Sequence, residues 1–163
     1  MKKSNIARKR AAAKWILLVL LVYCIVITVL TYLLPENYTV AMLSPFTILA
    51  VYLEQWAEEL PAIVTISRVL ICLLAVLPLI GWFLLCKPIR AGKPMIIAPY
   101  CVLLASNLWI TASHLITGLG VKNTANMGPT LQYVSITLRL CAVCLVISIA
   151  ILIAVNVWQP KKT

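Results

Sequence analysis

A chain of 163 residues that is 63% hydrophobic and 11% charged, with a mean hydropathy of +1.04, departs from the soluble average of roughly 45–50% apolar and ~25% charged residues. These values exclude an ordinary water-soluble domain, and the formal charge of +10, from 14 Lys and Arg against 4 Asp and Glu, makes the chain strongly basic. Four long apolar runs, Trp15–Leu34, Val69–Cys86, Met95–Ile116 and Leu140–Trp158, each approach the ~20 residues that cross ~30 Å of hydrocarbon. With no water to satisfy the backbone, such segments must be helices. The expected fold is an all-α membrane protein: a four-transmembrane-helix bundle with one amphipathic helix on its outer face, forming a single membrane domain over 1–163.

In chain order, residues 1–14 form a basic arm carrying Lys2, Lys3, Arg8, Lys9, Arg10 and Lys14. Beside a span, such an arm reads as a topology signal that meets anionic headgroups rather than nucleic acid. The first span is expected over 15–34. Its length exceeds the ~7–15 residues of a signal-peptide core, and no A-x-A-like site precedes Pro35, so it reads as a retained helix.

An outer connection over 35–61 follows. Its segment "VAMLSPFTILAVYL" (40–53) offers about 14 apolar residues, short for a crossing and typical of an interfacial or re-entrant piece. Ser44 as N-cap, Pro45 at the first helical position and Pro61 as terminator predict a helix over about 45–60. Phe46, Leu49, Leu53, Trp56 and Leu60 share one face; Thr47, Glu54, Gln55 and Glu58 share the other. Such a helix would lie on the membrane surface, apolar side down. Asn37-Tyr38-Thr39 is a glycosylation sequon on the same side.

The second span is expected over 62–86, bent near Pro78 and Gly81. Residues 87–94 form a cytoplasmic loop with Lys87, Arg90 and Lys93, and the third span covers 95–117. Asn107 sits mid-span there among Ala105, Ser106, Thr111, Ala112 and Ser113, a pattern suited to close helix packing, so this helix is expected to be the most buried. An outer loop over 118–130, a fourth span over 131–158 and a cytoplasmic tail over 159–163 complete the chain. Cations concentrate in the arm, the 87–94 loop and the tail, so the positive-inside rule places both termini in the cytoplasm, with a plasma or inner membrane as location.

Counting along the helices brings Arg68, Arg139 and His114 to ~27–28 Å above the inner boundary, the level expected for Glu54, Glu58 and Glu59. These six residues form the candidate binding cluster, read first as basic side chains that snorkel to the headgroups or pair in a salt-bridged clamp, and second as an anion or proton site. The stretches "ISRVLICLLAV" (66–76) and "TLRLCAVCLVI" (137–147) each set a hydroxyl residue just before Arg and a Cys soon after, as an internal repeat would.

Six cysteines, Cys24, Cys72, Cys86, Cys101, Cys141 and Cys144, lie in or at the edges of spans, which is not the arrangement of a disulfide framework. The four residues "CAVC" (141–144) resemble the C-x-x-C of vitamin K epoxide reductase-like proteins, which are also small four-helix membrane proteins. That resemblance implies thiol–disulfide chemistry at Cys141 and Cys144, but the cysteine pair that this family carries in its first outer loop has no counterpart in 35–61. No P-loop, H-E-x-x-H or G-x-S-x-G is present.

The sequence therefore predicts a non-enzymatic accessory or binding subunit that associates with other membrane proteins. The alternatives are a small transporter or pore using Arg68, Arg139 and His114, and a thiol oxidoreductase through Cys141 and Cys144. No cofactor and no metal are expected. The expected partners are the lipid bilayer and a membrane protein or second copy, with no nucleic acid.

Overall fold

The computed structural model describes residues 2–33, 44–46, 61–120 and 127–158. Four helices account for nearly all of them: α1 (Lys2–Leu33), α2 (Pro61–Cys86), α3 (Gly92–Gly120) and α4 (Met127–Val157). Each contains a stretch long and apolar enough to cross a membrane, and together they pack as a bundle. Around the bundle the order is α1, α2, α3, α4 and back to α1, so α1 and α3 are diagonal to each other, as are α2 and α4. The start of α1 and the end of α4 lie at one end of the bundle, called here the terminal end; the end of α1 and the start of α2 lie at the far end.

α1 begins at Lys2, so the basic arm continues the first span as one helix of 32 residues, about 48 Å long. Pro61 is the first residue of α2, and the 47–60 stretch that it is expected to close lies outside the described residues. The first helical position suits proline, whose missing N–H has no intrahelical partner in a first turn anyway. α3 and α4 bury equal shares of their spans, larger than those of α1 and α2, so the third helix shares the most buried place with the fourth. Within α3, Asn107 and Thr111 face inward while Ala105 and Ala112 face outward, and the hydroxyls of Ser106, Thr111 and Ser113 donate to carbonyls four residues back. Those hydroxyls are satisfied within their own helix.

Gly81 serves close packing. A Cβ on Gly81 would come within 2.8 Å of the Gly92 carbonyl oxygen, and one on Gly92 within 2.6 Å of the Gly81 carbonyl oxygen. The α2–α3 hairpin is therefore drawn together backbone to backbone. Its turn is closed by the Ile89 amide donating to the Leu84 carbonyl at 3.0 Å and the Gly92 amide donating to Ile89 at 3.1 Å.

The terminal end is fastened by two indoles and an ammonium. Trp82 Nε1 donates to the Lys14 carbonyl at 3.2 Å, and the Trp82 and Trp158 rings lie 6.0 Å apart. Lys14 Nζ sits 5.5 Å from the Trp82 centroid and 5.8 Å from that of Trp158, within reach of the negative ring faces. The ends of α2 and α4 and an inner turn of α1 meet in this one contact.

Candidate functional site

The bundle's interior departs from the sequence expectation at Ser44, Pro45 and Phe46. These residues form a turn and are buried among the helices instead of lying on the membrane surface. Ser44 Oγ does accept a hydrogen bond from the Phe46 amide at 3.2 Å, which is how an N-cap serves the second residue of a helix. What the residue pattern misplaces is depth: Phe46 belongs inside the bundle, not against lipid. The remainder of the expected 45–60 helix lies outside the described residues.

Non-helical backbone at this depth is tolerated only where protein or water satisfies it, and the helices supply the partners. From α1, Thr28 Oγ1 lies 3.0 Å from Ser44 Oγ while also donating to the Cys24 carbonyl at 2.7 Å. From α3, Asn107 Nδ2 donates to the Pro45 carbonyl at 3.4 Å. From α4, the Cys144 thiol donates to the Ser44 carbonyl at 3.5 Å. The Phe46 ring meets Tyr100 edge-on with centroids 5.8 Å apart. Asn107, which reaches the Pro45 carbonyl, is fifteen residues into α3, so the backbone of the turn lies about 22 Å from that helix's terminal end.

Polar capacity is left over around this turn. Among the described residues, Asn107 Oδ1 and Ser148 Oγ are buried without a hydrogen-bond partner. The Tyr100 hydroxyl lies beside the Cys24 thiol without a well-directed hydrogen bond. Below this level the interior is closed by Leu17, Leu21, Ile96, Ile151 and Val155, all almost fully buried.

The residues singled out from the sequence fall as follows. Arg68 on α2 is exposed and its guanidinium stands 6.0 Å from the Tyr32 ring of α1. Arg139 is exposed on α4, diagonal to α2, and His114 on α3 is half-buried. Glu54, Glu58 and Glu59 lie outside the described residues. Cys141 and Cys144 are both buried with free thiols. Cys144 faces the re-entrant turn, whereas Cys141 packs in a small apolar cluster with Ile110 and Leu140.

Sequence reasoning picked out Asn107, Ser44 and Cys144 separately and missed Thr28 and Tyr100. The available signal was compositional: a short apolar segment with a central Ser-Pro, opposite the few polar residues placed mid-span. No protein-family model matches the chain, and no curated protein or solved structure matches it either.

Proposed function

We propose that this chain is a non-enzymatic membrane protein that acts by binding other membrane proteins, as an accessory subunit, with both termini and the 87–94 turn on the cytoplasmic side. The supporting observation is that the bundle fills its own interior. Phe46 has 0% exposure between the helices, and Thr28, Asn107 and Cys144 direct their polar atoms at the turn that carries it. Those groups would be needed to hold a re-entrant backbone in the membrane whatever else the protein did. The cation distribution supports the orientation.

The test combines two measurements on the full chain. Chemical cross-linking in the native membrane followed by purification should recover a membrane protein in stoichiometric amount. Reconstituted liposomes should leak ions and small solutes no faster than protein-free ones. Flux well above that background would overturn the reading.

A second reading has its own observation. Asn107 Oδ1 and Ser148 Oγ, buried and without partners among the described residues, would suit a small polar solute bound at mid-depth, as in a transporter. Solute flux abolished by Asn107→Leu, with the bundle intact, would select it. Thiol–disulfide chemistry at Cys141 and Cys144 makes a separate demand: their redox state in the membrane would have to follow an added quinone or dithiol.

A further inference from the structure

At the terminal end, α1 and α4 meet through small side chains. Ala13 and Ala154 are buried, with Ala12 exposed and Ala150 half-buried alongside. Four methyl groups leave a groove of about 470 Å³ between the two helices, a volume within the ~300–1,000 Å³ of small-molecule sites. Ile16 lies toward its membrane-centre end, and Lys9 lines the other. From Lys9 to Ile16 is seven residues, about 10 Å along the helix.

Charge runs along this groove in one sense. Lys9 lies six residues beyond the exposed Trp15, about 9 Å farther out, where an interfacial indole would put the headgroups. Arg8, Arg10 and Lys14 flank it. All four acidic residues of the chain fall between 36 and 59, in the connection that leaves the opposite end of the 32-residue α1. Neither α1 nor α4, the two helices that form the groove, contains an Asp or Glu.

We propose that this groove binds one acyl chain of an anionic phospholipid, with the phosphate paired to Lys9. The shape favours a lipid over a helix. A second helix would need its axis ~8–10 Å from those of α1 and α4 along a seam of only about two turns, and an apolar helix would bring nothing to neutralise Lys9. An acyl chain fits between alanine methyl groups, and its own headgroup supplies the anion at the correct end. The inference does not depend on the accessory role proposed above.

The test is native mass spectrometry of the full-length protein in mild detergent, titrated with dioleoylphosphatidylglycerol or dioleoylphosphatidylcholine. One phosphatidylglycerol per chain should be retained in preference to phosphatidylcholine. Lys9→Gln should weaken that retention about fivefold, the equivalent of ~1 kcal/mol for an interfacial lysine. Lys87→Gln removes an equal charge at the same end, on the exposed α2–α3 turn across the bundle, and should leave retention unchanged. Ala12→Leu should fill the groove and abolish retention, while the exposed site leaves the unfolding temperature as it was. Equal retention of both lipids would overturn the proposal. So would equal losses from Lys9→Gln and Lys87→Gln, unaltered retention in Ala12→Leu, or a lipid-free dimer, which would assign the groove to a second copy.

Discussion

The hydroxyls of Thr28 and Ser44, sixteen residues apart in the chain, meet 3.0 Å apart inside the helix bundle. One belongs to α1 and the other to a turn that has left α1 and returned into the same bundle. In hydrocarbon an unpaired hydroxyl or carbonyl is costly, so this pair, together with Asn107 and Cys144, makes the return of the chain physically tenable. A double-mutant cycle should therefore show coupling. Thr28→Val and Ser44→Ala are each expected to cost about 1 kcal/mol, and the double variant should cost clearly less than their sum. The measurement is equilibrium unfolding in detergent.

Phe46 is the apolar counterpart of that polar pair. Its ring is fully buried and set edge-on to Tyr100, so Phe46→Ala should destabilise the bundle by about 3–5 kcal/mol. Phe46→Leu, which retains most of the volume, should cost less than half as much. On a lipid-facing helix either change would have been nearly neutral, so the same unfolding experiment reads the depth of the turn.

Asn107 and Cys144 are expected to act through the carbonyls they serve. Asn107→Leu leaves the Pro45 carbonyl without its donor, and Cys144→Ala does the same to the Ser44 carbonyl. Each should cost about 1–3 kcal/mol. Faster hydrogen exchange or proteolysis near residues 44–46, with no change at the Lys14–Trp82 contact, would locate the damage.

Backbone proximity in the α2–α3 hairpin gives a steric prediction. Gly92→Ala sets a methyl against two backbone atoms of α2, at 2.6 and 2.7 Å, which no rotamer change relieves. It should cost at least the ~1–3 kcal/mol typical of overpacking. An alanine at exposed position 98 or 105 can be replaced by Leu with little effect, which serves as the control for thermal unfolding.

At the terminal end, Trp82→Phe removes the donor to the Lys14 carbonyl while keeping a ring under the ammonium. A loss of about 1 kcal/mol is expected. Lys14→Met keeps the aliphatic stem and removes the attraction to both rings, which is worth roughly 0.5–1 kcal/mol at a half-exposed site.

The four spans were legible because hydrocarbon thickness imposes a length and backbone satisfaction imposes a helix; Asn107 was legible as a buried polar residue for the same reason. The depth of Ser44–Phe46 was not. A short apolar stretch with a helix start is equally compatible with the surface of a bilayer and the interior of a bundle, because both are apolar. What distinguishes them is the set of partners on three other helices, and residue spacing along one segment does not carry that information.

The central claim, a re-entrant turn held inside the bundle, is tested most directly by disulfide trapping. In a background with all six native cysteines replaced, Thr28→Cys and Ser44→Cys put two thiols where hydroxyls now lie 3.0 Å apart, close enough for an S–S bond of ~2.05 Å after a small adjustment. A membrane-permeant oxidant should cross-link them nearly quantitatively, and a membrane-impermeant maleimide should leave the single Ser44→Cys variant unlabelled. No cross-link, together with rapid labelling at position 44, would put the turn on the membrane surface and contradict the account.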